Sequence, residues 1–192
     1  MNNMEMMDMD YGFGTPLVGN PAPDFEATAY QKAWESGENP MGTKQISLVD
    51  YKGKWLVFFF HPLAFTPPCE SEISAFNEMK AAFAERGAEI LGCSIDSHFT
   101  QKAWIDSGSM GTVEFPLLSD LDHTIGLDYG VLTEKGFSLR GLFIIDPEGV
   151  LQYCVVHNTG IGRSTEETLR VLDAIQSGAV CPANWKKGDS TL

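Results

Sequence analysis

Cys69 closes the segment Pro62-Leu63-Ala64-Phe65-Thr66-Pro67-Pro68-Cys69, directly after the apolar run Trp55-Leu56-Val57-Phe58-Phe59-Phe60. The run reads as a buried strand, rich in aromatic and branched side chains. Downstream, Ile73, Phe76, Met79 and Phe83 recur at spacings of three and four, the pattern of a helix over about 67–86. Thr66 suits an N-cap, Pro67 suits the first helical position, and Arg86-Gly87 supplies a stop. Cys69 is therefore expected in the first turn of a helix that follows a central strand. Free backbone N–H groups and the positive end of the helix dipole favour a thiolate there, the nucleophilic form of cysteine. The alternative is a small buried hydrophobe, which a capped helix start does not suggest.

The other three cysteines read differently. Cys93 alternates with Leu91 and Ile95 in a strand-like segment, and Cys154 lies in the apolar run Val150 to Val156. Both read as core filler. Cys181, in Val180-Cys181-Pro182-Ala183-Asn184-Trp185, lies near the chain end, where chains are accessible. The cysteines are 24, 61 and 27 residues apart (93−69, 154−93, 181−154), with no C-x-x-C pair. His61, His98, His123 and His157 form no pair at helical spacing, so no metal is expected. No phosphate loop appears, and Gly160-Ile161-Gly162 lacks the third glycine of a dinucleotide fingerprint. Cofactor-free thiol chemistry fits what remains.

The elements that must position these residues follow from the same pattern. Pro21 to Phe25 opens the ordered part, and residues 31–45 read as a loop before a short strand near Ile46-Ser47-Leu48. Strands are expected at 55–60 and 88–95, a short helix near 98–107, an extended piece at 115–118 and a short helix at 122–129. Leu142 to Ile145 and Val150 to Val156 flank Asp146-Pro147-Glu148-Gly149, a type I turn signature, and read as a β-hairpin. Ser164-Thr165-Glu166-Glu167 is a capping box that opens a last helix, which Gly178 can end. This order predicts an α/β fold: a mixed central sheet with helices on both faces and no second domain.

The whole chain sets further bounds. Its 192 residues are enough for one domain with a substantial core, and 43% hydrophobic content excludes general disorder. Lys and Arg total 13 against 26 Asp and Glu, a net charge of −13, which argues against nucleic acid and anionic membranes as partners. The acidic, Met-rich start has no apolar core segment and does not read as a signal peptide, and no run reaches membrane-spanning length. A cytoplasmic location with reduced thiols is the expectation.

Three segments together resemble the peroxiredoxins. Pro62-x-x-x-Thr66-x-x-Cys69 is similar to the family's active-site motif. Leu139-Arg140-Gly141-Leu142-Phe143-Ile144-Ile145-Asp146 resembles the strand that carries its active-site arginine. Val180 to Trp185 resembles the resolving-cysteine segment of the typical two-cysteine branch, as does Asp96-Ser97-His98-Phe99 followed by Ala103-Trp104. The resemblance runs from about Pro21 to Trp185 and implies a thioredoxin-like fold. It divides the chain into a flexible segment at 1–20, a peroxidase domain at 21–178 and a tail at 179–192.

The activity implied is reduction of hydrogen peroxide and organic hydroperoxides. Cys69 would become a sulfenic acid and condense with Cys181 of a partner subunit. Thr66 and Arg140 would donate hydrogen bonds to the reacting oxygens, Pro62 would shield the site, Glu72 would orient Arg140 and His61 would reach the site. Thioredoxin or a flavoprotein disulfide reductase would return the thiols, and a homodimer, with a decamer beyond it, would be the assembly.

Each residue keeps a plainer alternative. Thr66 could be only an N-cap, Pro62 only a strand terminator, Arg140 a solvated edge charge, Glu72 a first-turn acid and His61 a strand-end residue. Arg163 reads as a dimer residue or a solvated charge. A chaperone-like holdase and a redox relay to partner proteins are the rival functions.

Departures from the branch stand out. Pro67-Pro68 replaces its apolar pair, and Glu70 replaces the proline after the cysteine and would oppose an anion at Cys69. His61-Pro62 and Thr66-Pro67 look more like the one-cysteine branch, and Cys181 decides for two. Gly108-Ser109-Met110-Gly111 lacks the second glycine of the loop that goes with peroxide sensitivity. The tail beyond Cys181 has no Tyr or Phe and is expected to open easily.

Overall fold

The computed structural model describes Pro16 and residues 18–192. Among them run β1 (Glu26–Tyr30), β2 (Thr43–Ser47), β3 (Trp55–Phe60), α1 (Pro67–Glu78), α2 (Lys80–Ala84), β4 (Ala88–Ser94) and α3 (His98–Asp106). Then come β5 (Leu117–Ser119), α4 (Thr124–Asp128), β6 (Arg140–Ile145), β7 (Leu151–His157) and α5 (Thr165–Gln176). The strands form one sheet in the order β2-β1-β5-β4-β3-β6-β7. β3 runs parallel to β4 and antiparallel to β6, so the sheet is mixed.

β3 is central because both of its faces are apolar. Val57 and Phe59 join Ile73 and Phe76 of α1, Phe83 of α2, Trp104 of α3 and Leu172 of α5 in one core. Leu56, Phe58 and Phe60 join Ile125 of α4, Tyr129, Phe143 and Ile145 in the other. Phe59 and Phe76 stack with ring centroids 4.5 Å apart, which fixes α1 over the sheet. Truncating a buried ring of this kind costs about 3–5 kcal/mol.

The hairpin follows the expected turn: Gly149 N–H donates to Asp146 O at 2.9 Å, and Gly149 has φ +86°, open to glycine. Gly141, beside Arg140, has no room for a side chain. A Cβ there would stand 2.5 Å from Val131 Cγ1.

Some expectations are corrected. The helix over 67–86 is two helices, broken at Met79 with φ −89° and ψ −1°. Ile73, Phe76, Met79 and Phe83 keep their spacing across the break, so periodicity does not reveal it. Asn77, just before it, is engaged sideways with Thr112 O and Glu114 N. Residues 31–45 are not wholly loop, because β2 starts at Thr43 and pairs with the unexpected β1, Tyr30 opposite Thr43. The N-terminal segment 1–20 lies mostly outside the described residues. Gly19 N–H and Asn20 O bond to Leu151.

Candidate active site

The strand-to-helix corner places Cys69 third in α1, behind Pro67 and Pro68. Thr66 occupies the N-cap position with extended backbone, but its hydroxyl does not cap; it donates to Leu63 O at 2.9 Å. The expectation of free amides at this helix start is also corrected. The two prolines have no N–H, and the N–H groups of Cys69 and Glu70 both donate to Thr66 O at 3.0 Å. Cys69 is fully buried. Local positive charge must come from elsewhere in the fold.

It comes from β6. Arg140 Nη1 lies 3.5 Å from Cys69 Sγ and also donates to Glu72 Oε2, while Nε donates to Thr159 O at 2.8 Å. Glu72 is one turn beyond Cys69 on α1 and has a second partner. Arg163 donates to it from its backbone N at 2.8 Å, from Nε at 2.7 Å and from Nη2 at 2.9 Å. Arg163 Nη1 bonds Gly141 O, and its guanidinium lies 5.2 Å from the Phe59 ring centre. Side chains of all three residues are at most 3% exposed. Burial pushes the Glu72 carboxyl up, but the bonds and charge of Arg163 and the charge of Arg140 hold it below the usual range. Arg140 is thus no solvated edge charge, nor is Arg163.

Above Arg140 opens a pocket of about 230 Å³, lined by Pro62, Leu63, Thr66, Pro68, Phe137, Arg140 and Thr159. Its lining combines Thr66 and Arg140 with a largely apolar wall. A pocket of about 290 Å³ near Tyr51 and Asp146 shares no residue with it and has neither thiol nor imidazole in its lining.

His61 is fully buried, with its ring 5.5 Å from Trp104 and 6.5 Å from Phe59, and neither ring nitrogen is hydrogen bonded. Burial, aided by the charge of Arg163, lowers its pKa to about 3, so the ring is neutral near pH 7. Glu70, expected to oppose an anion at Cys69, is turned to other partners: its Oε1 accepts from Trp104 Nε1 at 3.0 Å and Ser109 Oγ at 2.8 Å.

All four cysteines are free thiols. Cys181 is partly exposed and its Sγ lies 3.4 Å from Ser177 Oγ. The tail around it is docked on α5, with more apolar surface than the absence of Tyr and Phe suggests. Trp185 is buried, its carbonyl accepts from Arg170 Nη1 at 2.8 Å, and Lys187 pairs with Asp173. A tryptophan, in place of Tyr or Phe, docks the tail. Cys93 is buried, and burial first, then the charge of Asp120, raises its pKa well above the ordinary value. Cys154 is half-buried on β7, packed against the second core. Among the described residues no cluster of His, Cys, Asp and Glu could hold a metal ion.

Residues 18–154 match the family model described as the AhpC/TSA family. The chain belongs to this family. It is 48% identical to a putative peroxiredoxin of Porphyra purpurea over 91% of this chain and 88% of that protein. It is 45% identical to peroxiredoxin-1 of Gallus gallus over 93% of this chain and 91% of that protein. The reduced 2-Cys peroxiredoxin of Plasmodium vivax superposes with a TM-score of 0.82 and 42% identity, covering 91% of each chain. AhpC of Mycobacterium tuberculosis does so at 0.80 and 35% identity, over 88% of this chain and 98% of that one. The protein is a peroxiredoxin, a thiol-dependent peroxidase with a thioredoxin-like fold.

Within this AhpC/TSA member, the fold brings Cys69, Thr66, Pro62, Arg140, Glu72 and Arg163 around one corner of β3, α1 and β6. Cys181 sits on the tail against α5. The sequence gives Arg163 no local signature: it follows Gly160-Ile161-Gly162 and bonds Glu72 at a separation of 91 residues. The one available signal was the unexplained acid Glu72 on the apolar side of α1, which needs more than one partner to be buried.

Proposed function

We propose that Cys69 is the thiol that reacts with peroxide and that Cys181 of a partner subunit resolves it. The observation that carries this reading is Arg140 Nη1 at 3.5 Å from Cys69 Sγ, beneath a pocket that also presents Thr66. The Cys69 thiolate attacks one peroxide oxygen, an S–O bond forms as O–O breaks, and the leaving oxygen takes a proton to depart as water or an alcohol. Arg140 donates to the reacting oxygens and stabilises the charge that develops on the leaving one, and Thr66 joins it by turning its hydroxyl from Leu63 O toward the peroxide. Pro62 shields the site, and Glu72 orients Arg140. His61 stands outside the pocket lining as a neutral ring beside Trp104 and Phe59.

The sulfenic acid on Cys69 condenses with the Cys181 thiol to a disulfide and water. Thioredoxin or a flavoprotein disulfide reductase then supplies two electrons and two protons. No cofactor of this chain takes part. β7 ends the sheet order, and its open edge suits pairing with a second copy in a homodimer, with a decamer as the larger assembly. The working unit is the domain at 21–178, with 179–192 as the tail that carries Cys181. No described helix is long and apolar enough to cross a membrane, and a cytoplasmic site of action fits thiols that must be re-reduced.

The test is peroxide consumption with thioredoxin and its reductase, using hydrogen peroxide and an organic hydroperoxide. Turnover that persists in Cys69→Ser would overturn the assignment.

A further inference from the structure

Glu70 follows Cys69 directly, and both hydrogen bonds of its side chain leave its own helix. One runs to Trp104 Nε1 on α3 and the other to Ser109 Oγ in the following loop. Trp104 is fully buried, and Ser109 adjoins Met110, which is also buried. Glu70 therefore ties the first turn of α1 to a buried ring on α3 and to the exposed turn that follows it.

The turn it ties is otherwise weakly built. Pro67 precedes a proline, a position biased away from helical backbone. Phe65 has φ +57°, in the left-handed region that a bulky side chain enters at a cost, and its ring is half exposed. Thr66 gives its hydroxyl to Leu63 rather than to the helix. Each feature lowers the preference for the closed turn, yet Cys69 inside it is fully buried. A disulfide needs the two Cβ atoms within about 4.5 Å, so the turn must open before any second cysteine reaches this sulfur.

We infer that Glu70 is a positioning residue: through Trp104 and Ser109 it latches the first turn of α1 closed while Cys69 meets peroxide. Its release sets the rate at which oxidised Cys69 is offered to a second thiol. This rests on the roles proposed above for Cys69 and Cys181. A first-turn acid serving only the helix dipole would have no need of a buried partner on α3 and a second one in the next loop.

Two variants test the latch. Glu70→Gln removes the charge and weakens both bonds. Ser109→Ala removes one of the two Glu70 bonds, together with the 3.3 Å bond from Ser107 Oγ within the same turn, and leaves the charge, at an exposed position that folding tolerates. Three quantities are read: hydrogen exchange of the Cys69 and Glu70 amides, alkylation of reduced Cys69 followed by peptide mass, and disulfide formation after a peroxide pulse. In Ser109→Ala all three should accelerate about fivefold, the factor one lost hydrogen bond represents, and further in Glu70→Gln. The sulfinic fraction per turnover should fall in step.

Wild-type exchange and alkylation in Ser109→Ala would overturn the latch, and so would a change confined to Glu70→Gln, which would show charge alone at work. Should Glu70→Gln fail to fold, Ser109→Ala decides. Exchange and alkylation need no peroxide. Acceleration there beside a wild type that consumes no peroxide would uphold the latch and sink the assignment of Cys69 instead.

Discussion

Arg163 and Glu72 meet through three hydrogen bonds of 2.8, 2.7 and 2.9 Å, and Arg140 takes the remaining side of the same carboxylate. One acid thus holds two guanidinium groups in the interior, and the outer one faces the Cys69 sulfur at 3.5 Å. The site's positive charge is delivered by a framework that spans α1, β6 and the segment before α5.

Removing that acid leaves two buried cations unpaired. Glu72→Ala should lower unfolding stability by about 3–5 kcal/mol, measured by urea denaturation. The native pairing lowers the carboxyl pKa, so its contribution is present above the ordinary value of 4.5 and lost as pH falls below it. Arg140→Ala should slow oxidation by peroxide about 100-fold or more. Unchanged second-order kinetics, followed by stopped flow, would take Arg140 out of the reaction.

Cys69→Ser should abolish peroxide reduction, whereas Cys93→Ser and Cys154→Ser should leave it largely intact. The reason is that only Cys69 faces a guanidinium beneath a pocket. Steady-state peroxide consumption distinguishes the three.

Oxidised protein should run as a dimer on a non-reducing gel, linked through Cys69 and Cys181, and Cys181→Ser should run as a monomer. Peptide mapping that finds only an intra-chain bridge would refute the inter-subunit form.

His61 makes stability depend on acid. The unfolded ring takes a proton near its ordinary 6.5, but the buried ring resists down to about 3. Between those values the unfolded state holds more protons, so stability falls as pH drops, at about 1.4 kcal/mol per pH unit. His61→Phe should flatten the curve of unfolding free energy against pH by one proton in that window. An unaltered slope would show the ring to be charged or exposed.

The docked tail bears on peroxide damage. Trp185→Ala should free the tail, speed disulfide formation and reduce sulfinic acid on Cys69 per turnover, read by intact mass during rising peroxide. A higher sulfinic yield in the variant would mean that the docked tail helps rather than delays resolution.

Strong local patterns made much of the fold legible. The six apolar residues of β3, the capped start of α5 and the Asp146–Gly149 turn each specify their element within a few residues. β1 escaped notice because Glu-Ala-Thr-Ala-Tyr lacks branched apolar residues and draws its order from pairing with β2 and β5. At the site, two separate segments pointed to Cys69 with Thr66 and to Arg140, and the fold brings all three to one corner. Neither segment could show that Thr66 leaves the helix uncapped or that Glu70 bonds Trp104, because both depend on where distant segments come to rest. Arg163 belongs to the same class.

The fixed grip on Glu72 also limits how far chemistry can travel. Glu72 is three residues past Cys69, and a fully extended three-residue stretch spans at most about 11 Å. While the two arginines hold the carboxylate, the Cys69 backbone stays on a tether of that length, however completely the first turn unwinds. The sulfur can swing out of its pocket but cannot cross a protein surface in search of a thiol. On the proposed pairing the remaining distance falls to the other party, and Cys181 lies on the docked segment whose release would let it make that journey.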